Sequence, residues 1–292
     1  MSFNHRNGPG LAKRLVMFAV RLLLHNKVGI AVGGATRVLY PRNGNDWVDV
    51  TQVQMTLPRL APTFDAYRLV QISDFHLGTW LSYTQLEHAI DLVNQQQPDV
   101  VAITGDFVSY HAKHYYDDLV KALGKIQARD GIVAILGNHD HWSDPFVIRQ
   151  VLAQTGIIDL SNDVHTLIRG NDCLHLCGVD DYMTANDHLG SVLSQLPEQG
   201  AAILLAHEPD FADISGSTGR FDLQISGHSH GGQIVFPWIG SPFLPGYARK
   251  YPSGAYQVNG MKLYTNRGLG TAEFQVRWNC RPEITAFTLH CV

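Results

Sequence analysis

Side chains that can bind metal ions stand directly after five apolar segments of this 292-residue chain. Imidazole, carboxylate and amide groups in combination suit borderline divalent metals such as manganese, zinc, iron, cobalt or nickel. The seven candidate ligands are Asp74, His76, Asp106, Asn138, His207, His228 and His230. Seven ligands are too many for one ion and suit two, because a central carboxylate can bridge cations about 3.5–4 Å apart. The pattern predicts a two-metal site.

The segment ISGHSHGGQ, residues 225–233, places His228 and His230 on either side of one serine. One His-x-His pair is weak evidence on its own, since most histidines lie on surfaces. The ordered recurrence of such residues after apolar segments is a much stronger signal, and it lets the two histidines face different metals. Ten other histidines have no such setting and are interpreted as surface or core residues.

The apolar segments themselves are interpreted as strands of an α/β fold. Strands are predicted at 67–73, 99–104, 131–136, 201–206 and 221–226, with helices at 83–97, 115–128, 145–154 and 187–196. Further strands are predicted within 47–60, within 157–179, and at 233–236, 254–258, 261–265 and 283–289. Strands and helices alternate in the first part of the chain, and strands predominate in the later part. This order predicts an α/β body in which two sheets pack face to face. Ligands gather at the carboxyl ends of strands, so the candidates should share one edge.

Charge is distributed unevenly along the chain. The net charge is −4, with 16% charged residues, and no basic footprint for nucleic acid is visible. Residues 1–45, however, hold seven basic residues and no acidic ones. This asymmetry predicts a basic N-terminal segment (1–45) that meets an anionic surface, followed by one catalytic domain (46–292).

The segment 11–35 of this N-terminus, LAKRLVMFAVRLLLHNKVGIAVGGA, has several interpretations. Arg21 interrupts the apolar stretch, which disfavours both a secretory signal and a membrane-spanning helix. A helix lying on an anionic membrane surface fits better, because basic residues flank a broad apolar face. A helix packed on the protein body is the alternative. The expected location is cytoplasmic, or peripheral at the cytoplasmic face of a membrane, in preference to secretion.

Cysteine usage agrees with that location. The four cysteines show neither the density of a disulfide framework nor the spacing of a zinc knuckle. Cys173 and Cys177 lie in an apolar, strand-like stretch, where a thiol acts as a small hydrophobic group.

The ordered motifs D-x-H, GD, GNHD, a lone histidine after a strand, and GH-x-H resemble those of calcineurin-like metallophosphoesterases. They span residues 67–232, and the ending NRGLGTAEFQVRWNCRPEITAFTL is similar to that of the bacterial YaeI/YkuE-like subgroup. The resemblance implies a four-layer α/β/β/α sandwich of two mixed sheets. It also implies hydrolysis of a phosphodiester or pyrophosphate bond by in-line attack of a metal-bound hydroxide.

The resemblance assigns the candidate residues as follows. One metal would be held by Asp74, His76 and His230, the other by Asn138, His207 and His228, with Asp106 bridging. His139 would stabilise or protonate the leaving oxygen as the catalytic residue. Asp140 could orient His139, cap a helix or be solvated. Ser109 occupies the position of a tyrosine in purple acid phosphatases, which argues against a tyrosinate-bound ferric site.

The substrate is less well defined than the reaction. Relatives in the subgroup include a pyrophosphohydrolase of UDP-2,3-diacylglucosamine, so a lipid-linked or nucleotide-linked phosphate ester is expected. Arg249 and Arg267 are candidate substrate-binding residues, with Trp238, Phe243 and Tyr247 as a candidate apolar groove. The alternatives are a soluble phosphodiesterase of small nucleotides and a non-catalytic scaffold of the same fold. No protein partner is inferred.

Overall fold

A computed structural model describes residues 47–272 and 275–292. The predicted N-terminal segment 1–45, with its surface helix within 11–35, lies outside the described residues. Within them, twelve strands form two six-stranded mixed sheets, as the sequence predicts.

The first sheet has the strand order β1-β12-β2-β3-β4-β5. Its strands are β1 (Asp49–Thr56), β2 (Tyr67–Ile72), β3 (Val100–Thr104), β4 (Ile132–Ile135), β5 (Ile158–Asp159) and β12 (Glu283–His290). Strands β2 to β5 are parallel, whereas β12 pairs antiparallel with β2 and carries β1 at the edge. The carboxyl ends of β2, β3 and β4 therefore lie at one edge.

The second sheet has the order β10-β11-β9-β8-β7-β6. Its strands are β6 (Asp163–Arg169), β7 (Asp172–Gly178), β8 (Ala201–Leu205), β9 (Leu223–Ser226), β10 (Gly254–Val258) and β11 (Met261–Thr265). Strands β7, β8, β9 and β11 are parallel. The two edge strands are antiparallel to their neighbours, β6 to β7 and β10 to β11.

Helices cover the outer faces of both sheets. They are α1 (Tyr83–Gln95), α2 (Tyr116–Leu123), α3 (Asn138–Ser143), α4 (Pro145–Thr155), α5 (Leu189–Gln195) and α6 (Ala212–Ser215). One apolar cluster fills the space between the sheets, a second lies under α1, α2 and α4, and a third lies under α5 and α6. The architecture is the predicted four-layer α/β/β/α sandwich.

Local sequence explains where the helices begin and which face they bury. Helix α1 starts after Ser82, which forms a capping box with Gln85 and so satisfies free amides of the first turn. Its buried residues recur at helical spacing, as in Leu86, Ile90 and Val93. None of the helices in residues 47–272 and 275–292 has the length and hydropathy needed to cross a bilayer.

Two predicted elements differ from the structure. Residues 233–236 do not form a strand, because Gln233 has a left-handed φ of 56° and the segment makes only isolated bridges, from Ile234 to Trp278 and from Phe236 to Gly240. The helix predicted over 115–128 is shorter, ending at Leu123 before Gly124, a poor helix former. The segment 112–115 is a 3₁₀ turn instead.

The two sheets are joined by buried polar contacts at the edge where the candidate ligands lie. Gln71 of β2 donates from Nε2 to the carbonyl of Ser226 in β9, at 3.0 Å. The backbone amide of His228 donates to both carboxylate oxygens of Asp74, at 3.0 and 3.1 Å. The loops that follow β2 and β9 are therefore fixed against each other.

Candidate metal centre

All seven predicted ligands are buried and lie where the carboxyl ends of β2, β3, β4, β8 and β9 meet. Three sets of side chains have ligand atoms within 4.8 Å of one another: Asp74 with His76 and His230, His76 with Asp106 and His139, and Asp106 with His207 and His228. The structure thus brings the histidines and carboxylates among the candidate ligands together in two groups, arranged as the family resemblance implies. Their role as metal ligands stays a prediction.

The first group contains Asp74, His76 and His230. The Nε2 atoms of His76 and His230 are 3.1 Å apart, and His230 Nε2 is 3.3 Å from Asp74 Oδ1. Three ligand atoms therefore converge on one point from two different sheets.

The second group contains His207 and His228, whose Nε2 and Nδ1 atoms are 3.3 Å apart. Asp106 connects the two groups, because its Oδ2 atom is 3.3 Å from His76 Nε2 and 3.3 Å from His207 Nε2. A single carboxylate oxygen between the groups is what a bridging ligand requires.

The hydrogen bonds of the second group define which ring nitrogens are free. His207 Nδ1 lies 2.6 Å from the Thr104 carbonyl, and His228 Nε2 lies 2.8 Å from the Gly246 carbonyl. A carbonyl only accepts, so each of these nitrogens carries a proton. When both rings are neutral, the other two nitrogens face each other with unshared electron pairs, unless a proton or a cation lies between them. A cation between them resolves this repulsion.

Asn138 supplies further support for a cation. Its Oδ1 atom is buried and has no hydrogen-bond partner among the described residues. A buried polar atom without a partner is unfavourable unless an ion or water satisfies it. Together, the nitrogen and oxygen donors of both groups fit two borderline divalent cations.

The electrostatics of the two groups differ. Burial opposes ionisation of Asp106, yet the charge and hydrogen bond of His207 and the hydrogen bond of His76 hold its pKa well below the usual range. Burial also opposes the charged form of His207, but Asp106 and Asp74 outweigh it and raise its pKa well above the usual value. The surroundings of His207 therefore attract positive charge.

The first group shows the opposite tendency at His230. Burial, together with the positive charges of His76 and Arg277, lowers the pKa of His230 well below its usual value. Burial also raises the pKa of Asp74. Such perturbed values are concentrated at functional sites.

The backbone of the centre is strained. Asp74, His76, Asp106, His228 and His230 all have a left-handed φ, between 44° and 64°. This conformation is unfavourable for residues with a side chain, and it persists where the surroundings enforce it, most often at functional sites. A glycine is required at Gly227, where a Cβ atom would lie 2.1 Å from Ser73 Oγ and 2.3 Å from Asp74 Oδ2.

His139 lies at the edge of the centre. Its backbone amide donates to Asp106 Oδ1 at 2.9 Å, and its Nδ1 lies 3.2 Å from the Ser109 carbonyl. That carbonyl fixes the proton on Nδ1 and leaves Nε2 available to a bound ester. Burial lowers the pKa of His139 from its usual value.

Two residues near the centre have roles that the sequence did not reveal. Asp140 is buried and accepts from the backbone amides of Gly137, Asp106 and Phe107 at 2.9–3.0 Å. Its predicted alternative as a solvated carboxylate is therefore wrong, because it fixes the loops after β3 and β4. Ser109 Oγ lies 2.8 Å from His76 Nδ1 and so orients that ring.

Arg277 is the third such residue, and no local motif indicates it. Its buried guanidinium donates to the carbonyls of Arg267, Gly268 and Gly270, and Nη2 lies 3.3 Å from His230 Nδ1. Gly270 in turn donates its amide to the Asp74 carbonyl at 2.7 Å. Arg277 therefore connects the C-terminal loop to the first group.

The predicted substrate-binding arginines make their side-chain and backbone contacts with residues outside the ligand groups. Arg267 forms ion pairs with Glu283 and Asp49, at 3.0 and 3.2 Å. Arg249 is exposed, with its backbone amide bonded to Asp210. Trp238 is fully exposed. The role of both arginines stays a prediction.

The two sheets and the paired ligand groups define a metal-dependent phosphoester hydrolase. The chain belongs to the calcineurin-like phosphoesterase family, whose model matches residues 67–232, more than half of its length. This family uses a dinuclear metal centre.

Its similarity to curated proteins extends over most of the chain. It is 32% identical over 259 residues to the uncharacterized metallophosphoesterase YkuE of Bacillus subtilis (strain 168), covering 88% of this chain and 89% of that protein. It is 27% identical over 227 residues to phosphodiesterase YaeI of Escherichia coli (strain K12), covering 76% and 82%. A transmembrane protein with metallophosphoesterase domain from Danio rerio is 30% identical over 261 residues, covering 82% and 57%.

Proposed function

We propose that this protein hydrolyses a phosphodiester or pyrophosphate bond with two divalent cations held in the two ligand groups. The position of Asp106 Oδ2, 3.3 Å from a histidine of each group, carries this proposal. Asp74, His76 and His230 would hold one ion, and Asn138, His207 and His228 the other. When bound, the cations lower the pKa of water and neutralise phosphate charge.

The protein's own contribution is to hold these groups in place before a substrate arrives. Asp140 fixes the loops after β3 and β4, and the Thr104 and Gly246 carbonyls orient His207 and His228. Prearranged groups of this kind stabilise developing charge without reorganising during the reaction.

His139 is proposed as the residue that assists the leaving oxygen. With Nδ1 bonded to the Ser109 carbonyl, a protonated ring can donate from Nε2 to that oxygen. Substrates with poor leaving groups should therefore depend on His139 more than those that release p-nitrophenolate.

The test is hydrolysis of bis(p-nitrophenyl) phosphate by metal-stripped protein, with manganese, zinc, nickel or buffer added back. We expect turnover only with metal. His139→Ala should lower the turnover of this ester, and should lower that of an ester with a poor leaving group by about 10²-fold or more. His188→Ala, an exposed histidine outside the centre, is the matched control and should keep wild-type turnover. Turnover in buffer alone, or an active His139→Ala variant with a poor leaving group, would contradict the proposal.

The N-terminus is proposed to contact an anionic membrane surface through residues 11–35, which places the protein at the cytoplasmic face of a membrane. The seven basic and no acidic residues of 1–45 support this. Sedimentation of the full chain with phosphatidylglycerol vesicles is expected, and reversal of charge at Arg14 and Arg21 should weaken it. Equal sedimentation of the wild type and the charge-reversed variant would refute the contact with the membrane surface.

A further inference from the structure

A cleft with a volume of about 310 Å³ opens beside His139. One wall is formed by residues 110–114, which follow β3, and the other by residues 142–144 at the end of α3. This volume is at the lower end of the range that small-molecule sites occupy.

The cleft adjoins the residue proposed to assist the leaving group. The ring centroid of His139 lies 4.9 Å from that of Trp142 and 5.9 Å from that of Tyr110. Both contacts are edge-on, with interplanar angles of 63° and 73°. A ring that one sugar separates from a phosphate at His139 is therefore within reach of the cleft.

The two walls are fixed relative to each other. The Ala112 amide donates to Ser143 Oγ at 2.9 Å, and Lys113 Nζ lies 3.7 Å from Asp144 Oδ2. His111 has a left-handed φ of 59°, an unfavourable conformation that is typical of functional loops. The cleft is thus a formed feature of the fold.

The aromatic side chains of the cleft are unusually exposed. Trp142 is 54% exposed and Tyr110 is 59% exposed. Large aromatic faces in water are free to stack on a planar ring, and stacking on such side chains is a common way to bind nucleobases.

The remaining lining distinguishes between two kinds of ligand. His111, Lys113, His114 and Asp144 are polar or charged, and Ala112 is aliphatic. An acyl chain would remove water from these polar groups without offering them hydrogen bonds, which is unfavourable. A nucleobase offers both a stacking face and hydrogen-bonding edges.

We propose that this cleft binds the nucleobase of a nucleotide-linked substrate, stacked on Trp142 and Tyr110. The proposal rests on the proposed hydrolysis, since it places the base next to the ester at His139. It assigns the nucleotide portion of the substrate to the His139 side of the centre.

Binding to the full-length protein tests the cleft and the phosphate centre separately. Three probes are compared by fluorescence titration and calorimetry with manganese present: adenosine, ribose 5-phosphate and AMP. We expect AMP to bind about 10-fold or more tightly than ribose 5-phosphate, from base stacking. Trp142→Ala should abolish this ratio, whereas Trp142→Phe should retain most of it. The matched control is Ile168→Ala, an exposed apolar residue of β6 outside the cleft, which should leave the ratio unchanged.

The outcomes separate the two proposals. Equal binding of AMP and ribose 5-phosphate by the wild type would overturn the cleft proposal and leave the phosphate centre intact. Adenosine binding that depends on Trp142, without binding of ribose 5-phosphate, would support the cleft and count against hydrolysis. Failure of all three probes would overturn both. Octyl phosphate that binds more tightly than AMP, with the same dependence on Trp142, would indicate an acyl-chain site and also overturn the proposal.

Discussion

The two ligand groups of the centre are built differently. In the group of His207 and His228, backbone carbonyls of Thr104 and Gly246 accept the ring protons and leave the inward nitrogens free. In the group of His76 and His230, side chains contact the outward ring nitrogens instead: the Ser109 hydroxyl contacts His76 Nδ1, and the Arg277 guanidinium contacts His230 Nδ1. A carbonyl leaves no choice of tautomer, whereas a hydroxyl can donate or accept.

The contact of Arg277 with His230 makes this difference larger. A guanidinium only donates, so His230 Nδ1 accepts, and the neutral ring then carries its proton on the nitrogen near Asp74. A metal ion at that nitrogen must replace the proton and also tolerate the nearby positive charge. By contrast, the negative charges of Asp106 and Asp74 raise the pKa of His207, and a cation that replaces its second proton is attracted by the same two carboxylates. We infer that the His207 group binds its ion more tightly.

The largest expected effect comes from Asp106→Asn, which changes the one carboxylate shared by both groups. Replacing its charge should weaken both ions and lower turnover by more than about 100-fold, since second-layer partners alone are worth 10–100-fold. Metal content by mass spectrometry and turnover of bis(p-nitrophenyl) phosphate measure this. Asp210→Asn, outside both groups, is the control. A variant that keeps two ions and wild-type turnover would remove Asp106 from the bridging position.

A smaller effect is expected at Arg277, which supports only the first group. Arg277→Met leaves several buried carbonyls without donors, each worth about 1–3 kcal/mol, so the free energy of unfolding should fall by about 3 kcal/mol. Denaturant unfolding measures this change. Arg277→Lys keeps the charge but not the planar fork, and its stability should be intermediate. Equal stability of all three proteins would contradict the assigned contacts.

Ser109→Ala should affect metal binding more selectively. Loss of the hydroxyl 2.8 Å from His76 Nδ1 should weaken the ion of the first group by about 10–100-fold and leave the other ion unchanged. Calorimetric titration with manganese resolves the two steps, and the exposed Ser194→Ala variant serves as the control. Weakening of both steps to the same degree would argue against the separate support of the groups.

The smallest effect concerns His141, which lies outside both groups. Burial opposes its charged form, but the hydrogen bond and charge of Asp180, 2.7 Å from Nε2, raise its pKa. A raised pKa in the folded state stabilises the fold below about pH 6.5, and this contribution disappears as the pH rises through the folded-state pKa. His141→Gln should therefore lower stability by less than about 1 kcal/mol at pH 5.5, after screening by solvent.

Unfolding of wild type and His141→Gln at pH 5.5 and pH 8.5 measures this dependence. A stability difference that is larger at pH 8.5 would reverse the sign and refute the interpretation.

The sequence predicted which candidate ligands lie close together because each one follows an apolar strand, and parallel strands bring their carboxyl ends together. It did not predict Ser109 and Arg277 as partners, because these contacts join residues 33 and 47 positions apart that share no motif. The strand expected at 233–236 failed for a related reason. Its apolar residues pack against Trp278, a contact made only in the folded chain, and not into a sheet ladder.

The proposed difference in metal affinity between the two groups is tested most directly by manganese titration of the metal-stripped full chain. The variants His207→Ala and His230→Ala are titrated in the same way. We expect two binding steps in the wild type. His207→Ala should lose the tighter step, and His230→Ala should keep the tighter step and lose the weaker one. Loss of the tighter step in His230→Ala, or two steps of equal affinity in the wild type, would contradict the unequal support of the two ions.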